Sequence, residues 1–319
     1  MNTKFSTAML AIGLTLAASP SFAQYPTKPI RIIVPFSAGG ASDAAARTLG
    51  QTLTKSLGQP IIIENRPGAA GSLAAQAVLS APADGHTLLW ASASIGAIPF
   101  VQKSAPFQTL NEFVPVSMVG RLMFCMFVPQ DVPAKTVGEF ITYARANPGK
   151  LSYATGSLSE FMVTTQFMKA AGIDLVHVPY KGGAQAMPDL ISGRLQLNFG
   201  PFAGGFPHVK DGKLRMLATL MSKRSPAAPD VPTLLEAGVP NVSSPTWQAV
   251  FAPPKTPRDI VDKLAREIAK AVKDAALLEQ FEKQAVQAEA TTPEGLAAIV
   301  TADVEAWRRF VLENNIPQE

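Results

Sequence analysis

The chain has 319 residues, with 28 Lys and Arg against 24 Asp and Glu, and 47% of its residues are hydrophobic while 16% are charged. This composition excludes an intrinsically disordered chain, and a length near 300 residues favours about two domains. A single Cys excludes an intramolecular disulfide and, with three His, leaves too few ligands for a zinc site, while a dispersed net charge of +4 argues against nucleic acid. We therefore expect no metal and no cofactor.

Residues 1–23 have the layout of a secretory signal peptide. Lys4 supplies the basic start, residues 8–18 are apolar, Pro20 breaks the helix, and Ala23 precedes the expected cleavage site. The apolar stretch is shorter than the roughly 18 to 20 residues that a membrane span needs, which favours a cleaved signal peptide. An uncleaved anchor is the alternative. We predict a periplasmic protein that loses residues 1–23 on export.

The next elements alternate between short apolar strands and amphipathic helices. A strand at Ile30–Val34 precedes a helix that Ser42 is expected to cap and Gly58 to end. Strands at 61–63 and 87–90 flank a second helix at 74–79. This alternation predicts an α/β domain with a mainly parallel sheet flanked by helices.

A second unit of the same kind follows. Residues 114–128 are apolar and predict one long buried strand that runs between two domains. Further strands are expected at 151–154, 175–178, 195–199 and 214–219. A strand at 247–251 returns the chain, after which only helices are expected. We therefore predict two α/β domains, residues 24–124 plus 248–319 and residues 125–247, joined by two crossings that form a hinge beside a cleft.

The loop between the first strand and the first helix has the composition of an anion site. It contains Phe36, Ser37, Ala38, Gly39 and Gly40. Its glycines allow backbone N–H groups to approach a ligand, and a helix N-terminus favours an anion. A tight turn that needs glycine only for its geometry is the equal alternative. Asp43 in the first helical turn complements the helix dipole and would repel an anion, unless the ligand carries an ammonium or hydroxyl group.

Three further strand-to-helix loops are rich in glycine and serine. They contribute Ser92 and Ser94 after the third strand, and Gly156, Ser157, Ser159, Gly182 and Gly183 in the second unit. The carboxyl ends of parallel strands form the usual ligand crevice, although the serine pair has an ordinary polar loop as its alternative. We expect the four loops to converge on one cleft that binds a small molecule.

The sequence lacks the patterns of an enzyme. It has no Gly-x-Ser-x-Gly, P-loop or His-Glu-x-x-His motif. His177 lies in an apolar run and is expected to be a packed strand residue, and Cys125 to be a buried apolar one. A periplasmic hydrolase that uses Ser37 or Ser157 is the alternative of another class, but the three histidines show no spacing that supplies a base. We predict a binding protein that is not an enzyme.

Several strings resemble one known family. They are YPTKPIR (25–31), ENRPGAAG (64–71), ADGHTLL (83–89) and VHVPYKGG (176–183). Over essentially the whole mature chain, the sequence resembles the TctC-like or Bug family, the periplasmic solute receptors of tripartite tricarboxylate transporters. The resemblance implies a two-domain Venus flytrap that binds a small organic carboxylate and delivers it to a membrane permease. It also implies that backbone N–H groups and ordered water at residues 36–40 hold the ligand carboxylate.

Departures from the family pattern bear on the ligand. Phe161 stands where the family usually has a His, and Gln196 and Gly200 replace its usual acidic residues. Together with Leu158 and Phe202, these residues favour an aromatic or partly apolar acid over citrate. We expect a monomer, and a periplasmic sensor that presents its closed form to a signalling partner is the alternative among binding proteins.

Overall fold

The computed structural model describes residues 25–242 and 246–318, so the predicted signal peptide lies outside the described residues. The strands are β1 (Ile30–Val34), β2 (Ile61–Asn65), β3 (Thr87–Ser92), β4 (Val114–Leu122), β5 (Phe124–Pro129), β6 (Ser152–Thr155), β7 (Val176–Pro179), β8 (Leu197–Pro201), β9 (Leu214–Thr219), β10 (Trp247–Ala252) and β11 (Val286–Ala288). The helices are α1 (Ala41–Leu57), α2 (Ser72–Leu79), α3 (Ile98–Val101), α4 (Val137–Arg145), α5 (Leu158–Ala171), α6 (Gly183–Ile191), α7 (Phe202–Lys210), α8 (Arg258–Ala271), α9 (Ala275–Lys283) and α10 (Pro293–Glu313).

The strands form two sheets, each flanked by helices, which confirms the predicted two-domain α/β architecture. The first sheet has six strands in the order β11-β4-β10-β3-β1-β2, and the second has five in the order β7-β6-β8-β5-β9. In the first sheet β1 pairs in parallel with β2 and β3, whereas β10 and β11 run antiparallel to their neighbours. In the second sheet β6 pairs in parallel with β7 and β8, and β5 is reversed.

Both faces of the first sheet are covered by helices. On β1, Ile30 and Ile32 pack towards α1 and α8, while Ile33 packs on the opposite face towards α2 and α10. This double coverage explains why β1 is apolar and buried at every position except Arg31, as expected for a buried parallel strand. The first sheet, packed on both faces, therefore supports the loops that follow the carboxyl ends of its strands.

The chain passes between the two sheets at Met123. The predicted single strand over 114–128 is wrong, because β4 ends at Leu122 in the first sheet and β5 begins at Phe124 in the second. The return path, between β9 and β10, lies beside this crossing, since the Leu122 N–H donates to the Thr246 carbonyl oxygen at 3.0 Å. Two adjacent connections therefore join the domains.

Two local expectations are also corrected. The N-cap of α1 is Gly40 rather than Ser42, because the Ser42 hydroxyl donates its proton to Gln248 instead of accepting from the helix. The final segment is not purely helical, since β11 follows α9 and pairs with β4 at the sheet edge. None of the helices in the described part of the chain is long and apolar enough to cross a membrane.

Candidate functional site

The loops at the carboxyl ends of the parallel strands meet between the two sheets, as predicted. They enclose a cavity of about 330 Å³, which we call the inner compartment. Ten of the predicted site residues line it: Phe36, Ser37, Gly39, Gly40, Ser92, Gly156, Ser157, Ser159, Gly182 and Gly183. All four predicted loops, which come from both domains, therefore contribute to one cavity.

Asp43 positions the first loop and does not line the inner compartment. Its carboxylate accepts hydrogen bonds from the Gly39 N–H at 2.9 Å and the Asn65 side-chain amide at 2.9 Å, and it pairs with Arg47 at 3.0 Å. Burial raises the pKa of Asp43, but the hydrogen bonds from Arg47, Gly39 and Asn65 outweigh burial and hold the pKa below its usual value. Asp43 therefore holds Gly39, with its φ of +80°, in the turn.

Three other predicted residues also lie outside the lining of the inner compartment. Ser94 is buried behind Ser92, with 2.7 Å between their hydroxyl oxygens. Phe202 belongs to the core of the second domain, where its ring stacks on Phe206 with 4.2 Å between ring centroids. Ala38 is not among the lining residues either. Phe202 cannot act as the apolar ligand contact that we expected, because its side chain is already buried in the core.

Gln248 on β10 is a lining residue that the sequence did not reveal. Its side-chain oxygen accepts hydrogen bonds from the Ser42 hydroxyl at 2.9 Å and the Trp90 indole N–H at 2.7 Å. Its amide nitrogen donates to the Trp247 carbonyl oxygen at 3.2 Å. A lone amide within an apolar strand was the only signal available in the sequence. Gln248 ties β10 to the first turn of α1 and to β3.

Glu160 in the first turn of α5 is the second residue that sequence reasoning missed. Its side chain lines the inner compartment, although the residue is only 3% exposed. The Gly156 N–H donates to its carboxyl group at 2.6 Å. Burial raises the pKa of Glu160 to about 7, even though hydrogen bonds with Gly156, Asn198 and Ser157 lower it. The third residue after a helix cap is commonly an exposed Glu, so its position in α5 did not indicate burial.

Among the described residues, the lining of the inner compartment includes no lysine or arginine. Its titratable side chains are Glu160 and His208, and its other polar groups are backbone N–H groups, hydroxyls and amides. Ser37 Oγ and His208 Nδ1 are buried atoms without a hydrogen-bond partner in the described protein. Neutral donors of this kind bind an anion without the desolvation of a buried cation.

A larger outer compartment, of about 580 Å³, lies beside the inner one. The two share Phe36, Gly156 and Ser157 in their walls. The domains approach closely here, because a methyl group added at Gly182 would lie 3.1 Å from Ser37 Oγ. The outer compartment is lined mainly by apolar side chains, with Lys181 and His177 as its basic residues.

His177 lies on an exposed edge strand, which corrects the expectation of a packed strand residue. Its ring lies between Tyr153 and Phe161, with centroid distances of 5.0 Å to each, and its Nε2 lies 2.7 Å from Thr155 Oγ1. The Ser157 hydroxyl accepts from the Glu160 N–H as a helix cap at 3.3 Å. In the described residues, no group of three or more metal-ligating side chains forms a metal site.

The family model for TctC, the tripartite tricarboxylate transporter family receptor, matches residues 45–316. The chain belongs to this receptor family. The family and its structural neighbours are substrate-binding proteins rather than enzymes, which excludes the hydrolase alternative. Among curated relatives, the receptor is 34% identical to protein BugT of Bordetella pertussis over 302 residues, which cover 93% of each chain.

Two solved structures show the same fold with small acids. The receptor superposes on Rpa4515 of R. palustris with adipate at a TM-score of 0.89 and 30% identity, covering 92% of this chain and all of that one. It superposes on MatC of Rhodopseudomonas palustris with bound malate at a TM-score of 0.84 and 28% identity, covering 90% of this chain and all of that one. These neighbours establish the periplasmic-binding-protein fold for this receptor.

Proposed function

We propose that the receptor binds a small organic carboxylate in the inner compartment and delivers it to a membrane permease of the tripartite tricarboxylate type. The observation that carries this proposal is a cavity between two domains whose described residues offer neutral hydrogen-bond donors and include no lysine or arginine. Such a cavity suits an anion that must be captured and then released. The structures with adipate and malate support the same chemical class.

We propose an acid with an apolar or aromatic body. Leu122, Phe124 and Met187 contribute apolar surface to the inner compartment. Leu158 and Phe161, which we expected to give the ligand site apolar surface, line the outer compartment instead. A compartment with these walls holds a hydrocarbon segment between or beside carboxylates better than it holds citrate, whose polar groups would remain unpaired.

The proposal includes where and how the receptor acts. The mature protein is a periplasmic monomer after loss of residues 1–23. Its domains, residues 24–124 plus 248–319 and residues 125–247, close on the ligand about the two crossings. Residues 36–40 supply the donors for one ligand carboxylate, and the second-domain loops cover the opposite side.

A thermal-shift screen of the mature protein tests the ligand class. The acids are adipate, malate, citrate, benzoate, nicotinate and glutamate. At about 100 times its dissociation constant, a ligand stabilises the folded protein by about 2.7 kcal/mol, which shifts the melting temperature by several degrees. A shift with adipate or benzoate but not with citrate supports the proposal, whereas a flat response to every acid contradicts it.

A variant pair tests the site. Gly40 has extended backbone angles, so Gly40→Val is tolerated by the main chain but places methyl groups beside the Ser37 carbonyl, 3.4 Å from the new Cβ. We expect loss of the ligand-induced shift without loss of the unliganded melting temperature. Gly138→Ala in α4 is the matched control, because no atom lies within 4 Å of its added Cβ. Unchanged affinity in Gly40→Val would contradict the site.

A further inference from the structure

Glu160 poses a problem for a receptor of acids, because its carboxyl group lies in the wall of the anion compartment. One carboxyl oxygen, Oε2, accepts from the Gly156 N–H. The other, Oε1, lies beside the first residue of α6, since an added Cβ at Gly183 would be 3.6 Å from it. Gly156 and Gly183 line the inner compartment as well, so the carboxyl group lies among its proposed ligand contacts.

The structure places no cation of the described chain against this carboxyl group. No lysine, arginine or histidine among the described residues forms an ion pair with Glu160, and its hydrogen-bond partners are neutral groups. An isolated buried carboxylate is costly, and a second carboxylate brought into the same low-dielectric space adds repulsion. The neutral acid removes both costs and gains an O–H donor that a carboxylate lacks.

Several titratable groups lie on the elements around Glu160, and three of them have hydrogen-bond partners of their own. From the elements and loops that pack near α5 they are Tyr153 on β6, His177 on β7, Lys181 before α6, Asp189 on α6, His208 on α7 and Asp303 on α10. Asp189 accepts from Tyr180, Asp303 from the Trp247 indole, and His177 pairs with Thr155. His208 shares the inner compartment with Glu160, so the experiment must separate its contribution from that of Glu160.

We propose that Glu160 is a specificity-determining residue that is protonated when the receptor holds a carboxylate and donates its O–H to a ligand oxygen. This inference rests on the proposed function. Because the free protein loses that proton near neutral pH, binding above this pH takes up a proton. Binding is therefore strong below the pKa of the free protein and weakens as the pH rises through it. The receptor selects acids that can accept a hydrogen bond from a neutral carboxyl group.

The test is calorimetric titration of the intact mature receptor with adipate and with benzoate at pH 6 and pH 8. For wild type we expect about tenfold weaker binding at pH 8, and uptake of close to one proton there when Tris and phosphate buffers are compared. Glu160→Gln keeps a neutral side chain with a donor, so its affinity should change less than twofold between the two pH values. His208→Asn should retain the wild-type pH dependence.

The outcomes separate this inference from the proposed function. Binding that is independent of pH, or stronger at pH 8, overturns the role of Glu160 and leaves the receptor function standing. Loss of the pH dependence in His208→Asn, with its retention in Glu160→Gln, also overturns it. Failure of both acids to bind wild type at pH 6 overturns the proposed ligand class and this inference together. Circular dichroism of each variant shows that any lost binding does not arise from unfolding.

Discussion

Replacing Gln248 with methionine should reveal how strongly one buried amide joins β10 to the first turn of α1 and to β3. Gln248→Met nearly preserves side-chain volume but removes the oxygen that accepts from Ser42 and Trp90. Each buried donor left without an acceptor costs about 1 to 3 kcal/mol, so we expect the free energy of unfolding to fall by about 3 kcal/mol. Trp90 is completely buried and its indole has no access to water as a substitute acceptor.

Urea denaturation followed by tryptophan fluorescence measures this loss, because the Trp90 indole contacts the substituted side chain. Ser42→Ala provides the second arm of a double-mutant cycle. In that background one of the two donors is already absent, so Gln248→Met should cost about 1 kcal/mol less than in wild type. A loss below about 1 kcal/mol, or additive losses in the double variant, would refute this account.

Three further perturbations have defined outcomes. Burial raises the pKa of Glu160 to about 7, so the unfolded chain releases this proton at lower pH than the folded protein does. As the pH rises from 4.5 to 7, the free energy of unfolding of wild type should therefore fall by about 3 kcal/mol relative to that of Glu160→Gln, at about 1.4 kcal/mol per pKa unit. If the difference in urea midpoint between wild type and Glu160→Gln is the same at pH 5 and at pH 8, this account is wrong. Gly182→Ala should weaken adipate binding several-fold without changing the unliganded melting temperature, because its methyl group meets Ser37 on closing; unchanged calorimetric affinity contradicts it. Gly205→Ala should cost about 1 to 3 kcal/mol in urea denaturation, since its Cβ would lie 2.5 Å from the Phe127 ring, and a neutral effect would show that α7 shifts freely.

The loops of the site could be predicted from the sequence because their geometry is local. A strand that ends in glycine and serine before a helix places its backbone donors at the sheet edge, whatever the rest of the chain does. The strand boundaries followed apolar periodicity for the same reason. The exceptions were β11, which was not expected, and the break at Met123, where the apolar Met123 itself gives no sign that β4 has ended and β5 begins.

Gln248 and Glu160 could not be assigned because distant parts of the chain determine their surroundings. Gln248 meets Trp90 and Ser42 across separations of 158 and 206 residues. Glu160 occupies a position in α5 that is normally exposed, and residues distant in the sequence, Asn198 on β8 and Gly183 on α6, lie beside its buried carboxyl group. The expectation that Phe202 contacts the ligand was wrong, because an aromatic residue after a strand is equally compatible with a ligand contact and with a place in the core.

The buried thiol of Cys125 makes this receptor convenient for conversion into an optical sensor. It is the only cysteine in the chain, it is fully buried on β5, and burial raises the pKa of its thiol far above the usual value. Thiol reagents react with the thiolate, so the native cysteine should stay unlabelled in the folded protein. A fluorophore attached through Lys181→Cys would stand in the outer compartment, between the domains, and would report each capture and release of an acid as a change in emission.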